Sequence, residues 1–195
     1  MMPSIKKLIE DGKKYYKSSN YDQAISCLTE ALRSCPERSD VLGFLGNAYF
    51  AIRDFKQAIS ILQQAVKYEP GNYEYHYDLG NCCFMLGEYA LALNHYLKSI
   101  EINPDYPDNY YNCGNVYFEE KEYQKALDYY TLALRRKPRY VDALVNRANT
   151  HGMLRKFSLA ISDYQAAISI DPRHQGAING LEGTKMILES MGIKY

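Results

Sequence analysis

Residues 39–72 read SDVLGFLGNAYFAIRDFKQAISILQQAVKYEPGN. Within this stretch Leu42, Leu45, Gly46 and Tyr49 recur at i, i+3, i+4 and i+7, which places them on one face of a helix. Arg53-Asp54 interrupts the pattern, and Ala58, Ile59, Leu62, Ala65 and Val66 then define a second apolar face. Pro70 lies just beyond it, since proline lacks an N–H and its ring clashes inside a helix. The stretch predicts two helices followed by a proline-marked turn.

The same reading extends along the chain. Pro36, Pro70, Pro104, Pro138 and Pro172 are spaced 34 residues apart. Ala24, Ala58, Ala92, Ala126 and Ala160 keep step, as do the aromatics Tyr21, Phe55, Tyr89, Tyr123 and Phe157. A small residue marks a further position: Gly12, Gly46, Gly80, Gly114 and Ala148. Setting the proline at position 32 gives five repeats, 5–38, 39–72, 73–106, 107–140 and 141–174. Glycine inside a helix costs roughly 0.5–1 kcal/mol against alanine. Close approach of the two helices of a repeat is the expected compensation, with the alanine at position 20 expected to face the glycine. Pro107 is expected in the first turn of its helix, where a missing N–H is harmless. Residues 175–192 continue the first-helix spacing through Ile178, Leu181 and Leu188 and read as a capping helix. Its Gly176, Gly180 and Gly183 predict a weak one.

Composition narrows the classes. The 195 residues carry 23 basic and 23 acidic side chains, and the net charge of zero argues against nucleic-acid binding. No apolar run approaches the roughly 18 residues of a membrane span. The N-terminal residues do not read as a signal peptide, and position 2 is methionine, without the glycine that myristoylation needs. Cys27, Cys35, Cys82, Cys83 and Cys113 are odd in number and form no C-x-x-C, so reduced thiols and a cytoplasmic location are expected.

The recurring residues resemble the tetratricopeptide repeat (TPR), W-x2-L-G-x2-Y…A-x3-F…P over 34 residues. Leu42, Leu45, Gly46, Tyr49, Ala58, Leu62, Ala65 and Pro70 fill it in the second repeat. Tyr110, Gly114, Tyr117, Ala126, Tyr130, Ala133 and Pro138 fill it in the fourth. Asp11 and Arg147 depart from it at leucine positions, Cys83 and His151 at tyrosine positions, and His76 at the tryptophan position. The resemblance implies an all-α, right-handed α-solenoid of antiparallel helix pairs, a TPR superhelix of about 11 helices with a concave surface.

At 100° per residue, positions 4, 7, 8 and 11 of each first helix form the core face. Positions 2, 5, 9, 12 and 13 form a stripe pointing away from the partner helix. In the TPR family that stripe lines the ligand groove, and the resemblance implies the same here. Position 9 holds an asparagine ladder, Asn47, Asn81, Asn115 and Asn149, after Lys13. Each amide can grip the backbone of an extended peptide or can bond between neighbouring helices. Tyr77 and Tyr111 at position 5, and Phe50, Phe84 and Phe118 at position 12, offer aromatic pockets or pack between successive first helices. Glu74 and Asp108 stand at position 2, where acids also complement the helix dipole. Asp78, Asn112 and Asn146 at position 6 complete the candidate groove. The third repeat sets Lys98 alone against Glu74, Asp78, Glu88, Glu101 and Asp105, an acidic centre, whereas the first helix carries five lysines.

Chaperone-adaptor members of the family hold a C-terminal aspartate in a two-carboxylate clamp of lysine, asparagine and arginine. No frame of three repeats supplies its basic jaw: Glu74 and Asp78, Asp108 and Asn112, or Asp142 and Asn146 stand there instead. EEVD-type tails are therefore not expected as ligands. No nucleotide, hydrolase or zinc-protease motif appears. His76, Cys83 and Cys113 match zinc spacing poorly and read as core residues, so no metal or cofactor is expected. The sequence thus predicts a non-catalytic interaction module that binds a protein or peptide segment, with apolar side chains and some positive charge, as adaptor, scaffold or co-chaperone. The alternative is a scaffold that homo-oligomerises through its terminal helices or convex face, with Ile187, Leu188, Met191 and Ile193 as suspects.

Overall fold

A computed structural model describes residues 4–193. Among them are eleven α-helices and no strands. In order they are α1 (Ile5–Lys17), α2 (Tyr21–Ser34), α3 (Ser39–Ala51), α4 (Phe55–Tyr68), α5 (Tyr73–Met85), α6 (Tyr89–Ile102), α7 (Pro107–Glu119), α8 (Tyr123–Arg136), α9 (Val141–Met153), α10 (Phe157–Ile170) and α11 (Gln175–Ser190). Packing divides the chain into two compact units, the first ending at Asn103 and the second beginning at Pro104. In the first unit α1 pairs with α2, α3 with α4 and α5 with α6. In the second, α7 pairs with α8 and α9 with α10, and α11 closes on α10 and α9. First helices of successive repeats also touch, α1 on α3, α3 on α5 and α7 on α9. None of the described helices is long and apolar enough to cross a membrane.

Helix ends explain the breaks in the sequence pattern. The residue two beyond each first helix of a repeat has positive φ: Ser19, Arg53, Gly87, Lys121 and Arg155. After α3, Arg53 N–H donates to Phe50 O and Asp54 N–H to Tyr49 O, both at 2.9 Å. This is a Schellman cap, which satisfies carbonyls the helix leaves open. Second helices end differently. Pro70 follows Glu69 in a turn that Asn72 N–H closes on Glu69 O at 3.2 Å, and Arg38, Tyr140 and His174 close the equivalent turns. The proline supplies the fixed φ such a turn needs at its second residue. Pro107 opens α7, as expected. Helix α11 stops at Ser190, short of residue 192, because Gly192 takes a φ of 69° and caps it.

The small residues lock the repeats, through a different partner from the one anticipated. The alanine at position 20 is fully buried throughout, but the side chain at position 24 is what fills the space above each glycine. A Cβ on Gly12 would stand 2.7 Å from Leu28, on Gly46 2.6 Å from Leu62, and on Gly80 and Gly114 2.5 Å from the rings of Tyr96 and Tyr130. In the fifth repeat Ala148 occupies the glycine position. There the Tyr164 ring lies against Gly180 of α11, too close to admit a Cβ on that glycine. Gly180, which weakens α11 as a helix, is thus the seat for a core tyrosine.

Three of the five departures from the repeat pattern meet an unusual partner. Arg147, in a leucine position, makes two 2.7 Å hydrogen bonds to buried Asp163 and a 3.2 Å bond to Thr131. His151 lies 3.9 Å from the same carboxylate. His76, in the tryptophan position, stacks on His95 with ring centroids 6.0 Å apart, and burial holds both imidazoles below the usual histidine range. Asp163 and His95 share position 23, so an unusual residue on a first helix is answered from its own second helix.

Gly114→Ala should destabilise the protein by about 1–3 kcal/mol through overpacking, although alanine is the better helix former by about 1 kcal/mol. Gly180→Ala should behave likewise, because its Cβ would run into the buried Tyr164 ring. Urea unfolding checks both; a gain in stability for either would contradict the lock.

Candidate functional site

The candidate residues lie on α3, α5, α7 and α9, the first helices of the last four repeats. All are at least partly buried except Glu74 and Asn149, which are exposed.

The ladder is tied to the core by tyrosines. Tyr96 hydroxyl donates to Asn81 Oδ1 at 2.9 Å, Tyr130 to Asn115 at 2.8 Å and Tyr164 to Asn149 at 2.5 Å. These are the position-24 rings that fill the glycine locks. One hydroxyl per repeat therefore fixes each amide with its oxygen inward. Asn115 is also engaged sideways: its Oδ1 accepts from Asn146 at 3.0 Å and its amide donates to Asn112 at 3.3 Å. Asn146 donates to the Tyr111 hydroxyl as well, at 3.0 Å. Along α7 and α9 the asparagines thus bond between helices. The tyrosines were missed as partners in the sequence, yet their signal is there: the three repeats with tyrosine at position 24 all carry asparagine fifteen residues earlier.

The second repeat differs. Leu62 replaces the tyrosine, so no hydroxyl meets Asn47, which lies instead beside Asp78 of the next first helix and favours its charged form. Gly43 stands where the fourth repeat has Tyr111. The result is a cleft of 330 Å³ lined by Asp40, Gly43, Phe44, Asn47, Glu69, Asn72, Glu74, Tyr75 and Asp78. A second cleft of 220 Å³ shares Asn47 and Asp78 and adds Tyr16, Phe50, Ala51 and Asn81. Both lie within the first compact unit.

The charges in the larger cleft are unevenly satisfied. Asp40 accepts two hydrogen bonds from Arg38, at 2.8 and 2.9 Å, and one from Lys13 at 2.9 Å. The Arg38 bonds above all hold its carboxyl far below the usual range. Glu69 accepts from Ser39 and Tyr75. Among the described residues, Asp78 has no ion pair, and its polar neighbour is the neutral Asn47. Burial pushes its carboxyl up to about 7, Glu74 adds to the rise and the Asn47 hydrogen bond opposes it.

Each phenylalanine meets an aromatic ring of its own repeat, and Phe50 also packs against the core that Tyr75, Leu79 and Cys82 of α5 help to form. Phe50 meets Phe55 at 5.4 Å, Phe84 meets Tyr89 at 5.5 Å and Phe118 meets Tyr123 at 5.6 Å between ring centroids. Phe50 additionally walls the smaller cleft. Tyr77 lies 6.2 Å from the Tyr96 ring and Tyr111 6.0 Å from the Tyr130 ring. Asp108 is partly buried in the first turn of α7, with Oδ1 enclosed and lacking a hydrogen-bond partner. Among the described residues, no group of three or more histidine, cysteine, aspartate or glutamate side chains could hold a metal ion. Burial raises the Cys82 thiol to about 12 and also raises Cys83 and Cys113, which keeps them protonated.

A carboxyl at about 7 when folded and 3.8 by default keeps its proton as pH rises, while the unfolded chain releases one. Its contribution to stability is therefore present below about pH 4 and lost as pH rises toward 7. Asp78→Asn, which copies the residue at this position in the fourth and fifth repeats, should stabilise the protein by about 1–3 kcal/mol at pH 8 and by much less at pH 4. Denaturant unfolding at both pH values checks this; a pH-independent difference would exclude the assignment.

Sequence models of the tetratricopeptide repeat match residues 15–65, 45–107, 107–140 and 141–174. No curated protein matches the chain. Among solved structures, a crystal structure of MamA is similar with 26% identity and a TM-score of 0.77, over 83% of this chain and 95% of MamA. YrrB, described as a TPR protein with an unusual peptide-binding site, matches over 90% of each chain with 20% identity and a TM-score of 0.73. MamA from Desulfovibrio magneticus RS-1 matches over 89% of this chain and 99% of that chain, with 16% identity and a TM-score of 0.79. The last two likenesses are of fold alone. With its register of prolines, its glycine locks and its paired helices, the chain belongs to the tetratricopeptide-repeat family.

Proposed function

We propose that this protein is a non-catalytic interaction module that binds a segment of a partner protein along the stripe of its first helices, acting as an adaptor or scaffold. One observation carries the reading. Tyr16 of α1, Asn47 and Phe50 of α3, and Asp78 and Asn81 of α5 converge on one open cleft of 220 Å³. Aromatic walls and amide groups are the chemistry by which a groove holds an extended chain: rings for side chains, amides for backbone. YrrB, similar in fold, is described as having a peptide-binding site. The lack of a basic jaw argues that the ligand is not a free EEVD-type C-terminus. The odd, unpaired thiols suit a reducing compartment such as the cytoplasm.

A random 12-residue peptide library displayed on phage tests the groove. Selected peptides should bind the wild type and lose about tenfold or more in affinity to Asn47→Ala/Asn81→Ala by fluorescence polarisation. Gln63→Ala, at an exposed place on α4, should leave binding unchanged. Equal loss in both variants, or no enriched peptide, would overturn the reading.

A second reading, self-assembly, is favoured by the apolar surface that α11 and its cap leave exposed. Met186 is 68% exposed, Ile187 47%, Met191 45% and Ile193 45%. Light scattering should then show a concentration-dependent mass that falls to the monomer in Met186→Lys/Ile187→Lys. A wild-type monomer at all concentrations would exclude it.

A further inference from the structure

Internal comparison of equivalent positions shows what the larger cleft lacks. Between α7 and α9, the residue at position 6 is Asn146, bonded to Asn115 and to the Tyr111 hydroxyl. Between α3 and α5, the same place holds Asp78, with Asn47 in the role of Asn115 and Gly43 in the role of Tyr111. An amide has been replaced by a carboxyl, which when ionised only accepts, and the tyrosine beside it by a glycine. The Tyr75 ring, 2.8 Å from where a Cβ on Gly43 would stand, takes part of the vacated space. What remains is the 330 Å³ cleft, at the lower end of the roughly 300–1,000 Å³ range of ligand pockets.

We infer that this cleft receives one basic side chain, arginine in preference to lysine, from a protein segment lying in the groove. The inference rests on the groove reading above and names the residue type it selects. The charge balance favours a cation. Asp40 is already matched by Arg38 and Lys13, and Lys13 is itself drawn over the Phe44 ring at 4.9 Å. Among the described residues, Glu74 at the mouth and Asp78 in the wall have no basic partner. Asparagine, found at the position of Asp78 in the next two repeats, would fit without a desolvated carboxyl, so the aspartate is a costly choice for the fold alone. A guanidinium brings several donors in one plane, sheds water more readily than an ammonium, and stacks on an aromatic wall such as Tyr75.

The test uses the full chain and three blocked pentapeptides, Ac-Ala-Ala-X-Ala-Ala-NH2, with X arginine, lysine or citrulline. Citrulline keeps the shape of arginine without the charge. The arginine peptide should shift the Asn47 side-chain amide resonances saturably with a Kd of order 1 mM, and citrulline should bind about tenfold or more weakly. Asp78→Asn should remain folded and lose the preference for arginine over citrulline. No saturable shift by the arginine peptide at about 10 mM, equal binding of citrulline, or an unchanged preference in Asp78→Asn would overturn the proposal. If phage-selected peptides bind in an Asn47- and Asn81-dependent manner but indifferent to Asp78→Asn, the groove reading stands and this one falls. If the arginine peptide titrates the cleft but no library peptide is enriched, the reverse holds.

Discussion

The structure depends on one steric constraint: in the first four repeats the backbone of the first helix must approach the side chain at position 24 of its own second helix more closely than a Cβ allows. Gly46 under Leu62 and Gly114 under Tyr130 are the simplest cases. Dense packing means that a large group on one side requires a missing one on the other. The fifth repeat shows that the constraint can be moved but not removed. Ala148 closes the usual space, and Tyr164 finds its room against Gly180 on the following helix. Each repeat therefore fixes the position of its own helices, and the last one relies on its cap.

That core constraint also sets the chemistry of the exposed stripe. A tyrosine in the lock has a hydroxyl to satisfy, and it reaches the asparagine at position 9. A leucine has none. Where Leu62 stands, Asn47 is released to Asp78, and the glycine at position 43 leaves a cleft beside the pair. Three differences, Leu62 for Tyr130, Gly43 for Tyr111 and Asp78 for Asn146, thus separate a region of closed amide bonds on α7 and α9 from an open, acidic one on α3 and α5. Polar groups in the core answer one another in the same manner. Arg147 is partnered by Asp163, since a buried charge left alone costs several kcal/mol, and the His76 ring stacks on His95.

Much of this was legible in the residues. The helix pairs, the turn at each proline and the place of Pro107 followed from spacing and from the missing N–H of proline. The need for close approach at the glycines was also readable, but its partner was misassigned to the alanine at position 20. Alanine repeats more faithfully than the mixture of leucine and tyrosine at position 24, and strict periodicity reports burial more readily than contact. The asparagine ladder was visible, whereas its tyrosine partners lie fifteen residues away on another helix and show no helical period with it. Phe50, Phe84 and Phe118 fell on the stripe by angle alone, and only coordinates show that each rests on the ring that opens its own second helix.

The sequence by itself determined the family, the pairing of helices within each repeat and the apolar face of each. These follow from local periodicity, and every repeat states them again. The tertiary structure decided which side chain fills each glycine gap, which amides are already bonded and where a cleft remains. Asp78 illustrates the difference. As a letter it is one more acid in an acidic repeat. Its raised carboxyl comes from burial and from Glu74 on its own helix, opposed only in part by Asn47 on a neighbouring one, and that environment exists only once the helices have packed.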